Sequence, residues 1–249
     1  MRTDYDARAV KRGAARAAAA WLAHAALYGF GFLPSRHRRL RAPGLRTLVF
    51  VHGLAGNRAN FFPLQAYLRA CGYHRQLSFN YPSSGSIERI AVLLKRQLDD
   101  NVKGGRIDLI AHSMGGLVAR LYVQQLGGAR RVDRLITLGT PHHGSTSSAY
   151  LPLPLVSQLK PSGPFLQHLN GLGPPPGVSM HSFAGERDLL VLPPEAALAP
   201  FGESVMLPEL GHLDMLLSPR VFRAVRDRLR AGVERAPRAD AATLAACPT

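Results

Sequence analysis

The stretch LIAHSMGGLVA, from Leu109 to Ala119, places a single serine where an apolar run meets a helical pattern. Ser113 comes almost directly after the apolar run, and two glycines follow it closely. One interpretation is a glycine-rich turn in which Ser113 caps a helix. The other is a nucleophile on a sharp strand-to-helix turn, which projects the serine hydroxyl away from the backbone.

A serine nucleophile needs several partners. Its hydroxyl attacks weakly at neutral pH, so a base must remove the proton and a third group must orient that base. The attacked carbonyl oxygen becomes negatively charged and needs N–H donors fixed in advance. At such a turn the residue after the serine supplies one donor, here the N–H of Met114. Ala111, Gly115 and Gly116 are the small neighbours that a close approach of strand and helix requires.

Short apolar runs alternate with longer amphipathic runs through most of the chain. The apolar runs predict six strands, at residues 47–51, 76–81, 106–111, 132–139, 178–185 and 204–209. Helical spacing predicts helices at residues 60–73, 86–102, 116–126 and 216–232. This alternation predicts a mostly parallel sheet with helices on both faces. Sites in such sheets form at the carboxyl ends of strands, where His52, Ser113 and Thr140 fall.

Residues 144–177 interrupt the alternation, with seven prolines and no regular period. An insertion of this length without regular structure is uncommon unless it covers a site. It lies between two predicted strands, on the side where the chemistry is expected. We interpret it as a short proline-rich cap, with a simple surface excursion as the alternative.

The string AHSMGG, between an apolar strand and a helix, resembles the nucleophile elbow of α/β-hydrolases, specifically of bacterial lipases and esterases. The general pattern is G-x-S-x-G, and Ala111 replaces the first glycine, as it does in some lipases. The string FVHGLAGN, Phe50–Asn57, resembles the loop that supplies the other oxyanion donor, which by that pattern is the N–H of Leu54. We interpret His52 in this loop as structural. The resemblance extends over residues 46–230 and implies an α/β-hydrolase fold.

The same resemblance implies the two other members of a catalytic triad. Asp188, in GERDLLV, stands where the triad acid follows the strand after the cap, and Glu186 and Asp214 are the alternatives. His212, in ELGHLDML, follows the last strand and precedes the final helix. The order Ser113, Asp188, His212 is that of α/β-hydrolases and differs from the orders of the two common serine-protease folds.

Two further histidines, His142 and His143 in LGTPHHGS, compete with His212 for the role of base. They precede Asp188 in the chain, and the string is frequent in the lipase-like branch, where it borders the acyl pocket. We therefore interpret them as pocket walls or packing residues.

The resemblance implies a serine hydrolase that cleaves carboxylic esters of lipids or other acyl compounds through an acyl-enzyme. No metal or organic cofactor is implied, and two cysteines cannot fill a four-cysteine zinc site. A thioesterase or an acyltransferase is the alternative among enzymes, because an acyl-enzyme can pass its acyl group to several acceptors. A non-catalytic binding module at a membrane surface is the alternative outside enzymes.

The net charge of +15 is concentrated at the ends of the chain. Residues 1–41 carry nine Lys and Arg against two Asp, and residues 220–249 carry seven Arg against three acids. A nucleic-acid reader is expected to concentrate charge along one folded surface, so no nucleic-acid partner is expected. Basic ends suggest contact with an anionic surface such as lipid headgroups, but a solvated arginine-rich tail explains them as well and is the interpretation that we prefer.

An apolar stretch, Ala17–Leu33, follows basic residues near the N-terminus and precedes four arginines between Arg36 and Arg41. It contains His24 and is shorter than the ~20 residues that a spanning helix needs. We predict a peripheral or packing helix and a basic linker (1–41), a hydrolase domain (42–235) and a tail (236–249). The sequence leaves the location open between cytoplasm, the inner-membrane surface and secretion.

Overall fold

The computed structural model describes residues 7–33, 45–82, 84–150 and 154–231. The predicted basic linker, residues 36–41, and the predicted tail, residues 236–249, lie outside these ranges.

One sheet contains six strands in the order β2-β1-β3-β4-β5-β6, and all neighbouring strands are parallel. The strands are β1 (Thr47–Val51), β2 (Gln76–Phe79), β3 (Ile107–His112), β4 (Val132–Leu138), β5 (Ser179–Gly185) and β6 (Glu203–Leu207). Parallel strands covered on both faces read as continuous apolar runs, and all five residues of β1 are buried. The prediction of a mostly parallel sheet is confirmed.

Helices cover both faces of the sheet. They are α1 (Ala7–Tyr28), α2 (Phe62–Ala70), α3 (Ile87–Asn101), α4 (Met114–Gln125), α5 (Pro154–Ser157), α6 (Pro164–Gly171) and α7 (Pro219–Arg230). Buried side chains of α3 and α4 form one apolar core with the sheet, and those of α2 and α7 form the other. These two cores are the packed layers that hold the strand ends in place.

Several element boundaries differ from the predicted ones by a few residues, for local reasons. A 3₁₀ turn at Arg58–Phe61 precedes α2, because Asn57 caps that turn through the N–H of Ala59. Likewise, α7 begins at Pro219, which lacks an N–H and suits the first helical position. Strand β2 ends at Phe79, two residues earlier than predicted.

Helix α1 lies at the carboxyl edge of the sheet and not on either face. It contacts the 3₁₀ turn at Arg58–Phe61, which follows β1, and the one at Asp214–Leu216, which precedes α7. The apolar stretch predicted at 17–33 therefore forms the second half of a longer helix and a 3₁₀ turn, Gly29–Phe32. No helix within the described ranges combines the length and the hydropathy needed to cross a bilayer.

Candidate active site

Ser113 alone makes the turn between β3 and α4. Strand β3 ends at His112, and α4 begins at Met114. The backbone of Ser113 has φ 55° and ψ −135°, a positive-φ conformation that costs a residue with a Cβ about 1–3 kcal/mol. Its N–H donates to the carbonyl of Leu138 at 2.9 Å, which ties the turn to the end of β4. Such strain persists only where the surrounding structure enforces it, and it is concentrated at functional sites.

The N-terminus of α4 packs tightly against the end of β1. A Cβ on Gly115 would lie 2.2 Å from the carbonyl oxygen of His52, so only glycine fits there. This approach brings the first N–H of α4, that of Met114, beside the loop that contains Leu54. Neither of these two N–H groups donates a hydrogen bond within the described part of the chain. The sequence pattern predicts these two N–H groups as the oxyanion donors.

His212 and Asp188 form a buried pair. The imidazole Nδ1 lies 2.7 Å from Oδ2 of Asp188, and the other carboxylate oxygen accepts the N–H groups of Leu190 and Val191, each at 2.8 Å. Because an ionised carboxylate only accepts, Nδ1 of His212 carries a hydrogen. The remaining ring nitrogen, Nε2, then has a lone pair that can accept a proton.

The His212 ring is held by its neighbours as well. A Cβ on Gly139, at the end of β4, would lie 3.1 Å from Nδ1 of His212, so the absence of a side chain makes room for the imidazole. The His112 ring packs against the His212 ring with centroids 4.5 Å apart, and its Nε2–H donates to the His212 carbonyl at 3.2 Å. Burial lowers the pKa of His112 well below its usual value, so this ring is neutral.

Ser113 and His212 line one cavity of about 500 Å³, a volume typical of ligand sites. Its other walls come from α1, from the loop at residues 53–56, from the predicted cap and from Leu190. Val156 and Leu159 are the lining residues within the predicted cap. No hydrogen bond joins the Ser113 hydroxyl to the His212 imidazole within the described part of the chain.

The two alternative acids occupy other positions. Glu186 is exposed, and its carboxylate accepts the N–H of Glu209 at 2.9 Å. Asp214 is buried, and its carboxylate accepts the N–H of Gly211 at 2.8 Å. Of the carboxylates in the described ranges, Asp188 is the one paired with His212.

The two alternative histidines lie outside the cavity wall. His142 is buried and neutral, because its Nδ1 accepts from Arg120 at 3.2 Å and its Nε2–H donates to Thr137 at 3.0 Å. Burial and the nearby Arg120 guanidinium lower the pKa of His142 well below its usual value. His143 is exposed. The structure thus gives His142 a packing position and makes neither residue a pocket wall.

The contribution of α1 to the cavity is absent from the sequence-based prediction. Trp21, His24, Ala25 and Tyr28 all line it. Their spacing of three and four residues is a signal that they share one helix face. That signal does not say what the face packs against, because helical spacing contains no tertiary information. Among the described residues, no cluster of His, Cys, Asp and Glu side chains is arranged to hold a metal ion.

Known crystal structures share this architecture at low sequence identity. The lipase BlEst2 from Bacillus licheniformis, in its mature form, has a TM-score of 0.63 and 18% identity, covering 79% of this chain and 95% of that one. An α/β-hydrolase fold protein from Burkholderia ambifaria has a TM-score of 0.57 and 19% identity, covering 75% and 92%. A membrane phospholipase A, described as a bacterial virulence factor, has a TM-score of 0.59 and 16% identity, covering 89% and 93%. The chain therefore has the α/β-hydrolase fold, as predicted.

A family model also matches the sequence. It is described as a domain of unknown function, DUF7379, and it matches residues 14–150. The match begins within α1, includes the loop after β1 and the turn at Ser113, and covers more than half of the chain. The chain belongs to the DUF7379 family.

Proposed function

We propose that this protein is a serine hydrolase that cleaves carboxylic esters. Ser113 is the nucleophile, His212 is the base, and Asp188 orients His212. One observation carries the proposal: a strained serine and a histidine paired with a buried carboxylate line the same cavity. Strand ends, a helix N-terminus and a buried acid thus converge on one site, as acyl transfer requires.

The proposed reaction proceeds through an acyl-enzyme. The Ser113 oxygen attacks the acyl carbon while Nε2 of His212 takes the hydroxyl proton. The N–H groups of Leu54 and Met114 stabilise the oxyanion. Collapse of this intermediate breaks the bond to the alcohol, which leaves with the proton from His212. Water then attacks the acyl-enzyme with help from the same base, which releases the acid and restores Ser113.

The proton transfer needs a direct contact between Ser113 and His212. General-base catalysis requires a separation of about 2.6–3.2 Å between the two heavy atoms, and such bonds are often long or misaligned before substrate binds. A change in the serine rotamer redirects the hydroxyl without moving the backbone. We expect this contact to form when an ester occupies the cavity.

The lining of the cavity favours an acyl ester with an apolar portion. The aliphatic side chains that line the same cavity as Ser113 are those of Leu54, Val156, Leu159 and Leu190. The fold relatives include a lipase and a membrane phospholipase A. Esters of lipids, or other acyl esters with an apolar portion, are therefore the substrate class that we propose.

We also propose that the N-terminal region touches a membrane surface from the periphery. Leu22, Phe32 and Leu33, on α1 and the turn that follows it, are exposed. Nine Lys and Arg against two Asp in residues 1–41 add an attraction to anionic headgroups. Exposed apolar side chains near a basic segment are typical of interfacial binding.

The nucleophile is tested by labelling with a fluorophosphonate probe, which forms a covalent bond with an activated serine. The wild-type protein should be labelled, and Ser113→Ala should not. Ser84→Ala, which removes an exposed serine, is the matched control and should be labelled like the wild type. Equal labelling of Ser113→Ala and wild type would remove Ser113 as the nucleophile.

A further inference from the structure

One face of α1 forms part of the cavity wall. Trp21, Ala25 and Tyr28 lie four and three residues apart, so they follow one another along the same side of the helix. They line the cavity that also contains Ser113 and His212. Since the cavity is mostly apolar elsewhere, a substrate chain in it would lie against these side chains.

Helix α1 is attached to both loops that carry the candidate chemistry. Near the middle of the helix, Arg16 contacts the Asp214 carboxylate, with Nε 3.4 Å from Oδ2, just after His212 in the chain. At its end, the carbonyl of Tyr28 accepts a hydrogen bond of 2.9 Å from Asn57, in the loop that follows β1. The same Asn57 side chain also accepts the N–H of Ala59 at 2.9 Å, so both polar atoms of its amide are paired. These bonds fix the wall relative to the loops on both sides.

The family match supports the same view of α1. It begins at residue 14, within α1, and continues through the turn at Ser113. The helix thus belongs to the unit that the family shares.

We propose that the Trp21–Ala25–Tyr28 face of α1 contacts the acyl chain of the substrate and sets the chain length that the site accepts. This inference rests on the proposed ester hydrolysis. Ala25 is the position where a single substitution changes the space most, because its small side chain stands between two large aromatic ones. A larger side chain there narrows the cavity.

Chain-length selectivity is the first test. Initial rates with p-nitrophenyl acetate and p-nitrophenyl decanoate should give a decanoate-to-acetate ratio of kcat/KM that falls about tenfold in Ala25→Phe. Ala26→Phe is the matched control, because Ala26 is exposed on the same helix and lies outside the cavity wall. Its ratio should equal that of the wild type. An active Ala25→Phe protein with an unchanged ratio would overturn the inference and leave the hydrolase intact.

Fluorescence gives a second test that needs no turnover. Trp21 is the single tryptophan of the chain, so the tryptophan emission reports on this wall alone. In the Ser113→Ala background, a terminally brominated dodecanoate should quench the emission saturably below its micelle concentration. Ala25→Phe should raise the half-saturating concentration about tenfold, and Ala26→Phe should leave it unchanged. The absence of saturable quenching would contradict the inference even if the protein hydrolyses no ester.

The two tests separate the two proposals. Saturable quenching without any hydrolysis or fluorophosphonate labelling would preserve the apolar wall and reject the hydrolase. Hydrolysis with neither quenching nor a change in selectivity would preserve the hydrolase and reject the apolar wall.

Discussion

His52 is a neutral structural residue of the loop that contains Leu54. Its Nδ1–H donates to the carbonyl of Gly53 at 2.9 Å, and its Nε2 accepts the N–H of Tyr81 at 3.3 Å. The ring stacks on that of Tyr81, with centroids 4.0 Å apart. Burial lowers the pKa of His52 from 6.5 to about 4. A protonated ring would face the Tyr81 N–H with a second donor, so the loop needs the neutral form.

We expect the free energy of unfolding to fall as the pH drops from 6.5 to 4. The unfolded chain protonates His52 near pH 6.5, whereas the native protein does so only near pH 4. Between these values the unfolded state binds more protons, so acid favours it by about 1.4 kcal/mol per pH unit, or roughly 3 kcal/mol in all for this residue. Urea unfolding at several pH values measures the slope.

The His52→Asn variant is the comparison for that slope. Below pH 6.5 the unfolding free energy of the variant should change less steeply with pH than that of the wild type. The difference in slope should correspond to about one proton. The variant should keep a pH dependence, because the buried His112 and His142 also have lowered pKa values. An identical pH dependence in the variant and the wild type would show that His52 does not titrate as described.

Asp188→Asn should lower kcat for ester hydrolysis by about 10³–10⁴-fold with a much smaller change in KM. An amide can donate to Nδ1 of His212 where the carboxylate only accepts, so the imidazole takes the wrong tautomer. The matched control is Glu186→Gln, two residues away on the surface, which should keep the wild-type kcat. Equal losses of activity in the two variants would contradict the proposed role of Asp188 as the orienting acid. Steady-state kinetics with a p-nitrophenyl ester provides the measurement.

The candidate site residues all follow the carboxyl ends of strands. Ser113 follows β3, Leu54 lies in the loop after β1, Asp188 follows β5, and His212 follows β6. Because β1, β3, β5 and β6 are parallel members of one sheet, their carboxyl ends meet at one edge. The packing of α4 on β1 then determines how closely Ser113 approaches Leu54.

Gly115→Ala should destabilise the protein by about 2–4 kcal/mol, although alanine is the better helix former by about 1 kcal/mol. The new Cβ would lie 2.2 Å from the carbonyl oxygen of His52 and 2.5 Å from that of Val51. Both oxygens are backbone atoms, one in the last residue of β1 and one in the residue that follows it. To accommodate it, α4 must move away from β1, which also displaces Ser113. Thermal and urea unfolding measure the loss.

Gly171→Ala is the matched control for Gly115→Ala. Gly171 is the last residue of α6, and a Cβ there meets no atom within 4 Å. This variant should therefore keep the wild-type stability or gain slightly. Equal stability of the two variants would contradict the close packing of α4 on β1.

Exposed apolar side chains and an excess of basic residues occur together in the N-terminal region. The side chains of Leu22 and Phe32 are 72% and 65% exposed, and both lie on the segment whose other residues line the cavity. Residues 1–41 carry a formal charge of +7. The cavity and the surface proposed to contact lipid therefore belong to the same part of the protein.

The protein should cosediment with vesicles that contain phosphatidylglycerol more strongly than with pure phosphatidylcholine, and salt should weaken the binding. Leu22→Ser and Phe32→Ser should each lower the partition coefficient by about tenfold, because each removes one apolar side chain from the interface. Leu45→Ser is the control, since exposed Leu45 precedes β1 at the opposite, amino edge of the sheet. Binding that is unaffected by the first two substitutions would place the contact elsewhere.

The strands, their parallel arrangement and the sharp turn at Ser113 can be predicted from the sequence alone. These follow from local rules, because a buried parallel strand must be apolar throughout and a sharp turn into a helix needs small neighbours. The β1 range, Thr47–Val51, agrees with its prediction at both ends. Chain order and resemblance predict Asp188 and His212 as triad members, and the structure pairs the two side chains at 2.7 Å.

The position of α1 at the cavity wall cannot be predicted from its sequence and follows from the complete fold. The Ala17–Leu33 stretch has the composition of a packing helix, a surface helix or a targeting segment, and its spacing contains no record of its neighbours. Its place depends on contacts with residues far away in the chain, such as Arg16 with Asp214 and Asn57 with Tyr28. Local patterns report the shape of an element, whereas the surface it covers is a property of the whole folded chain.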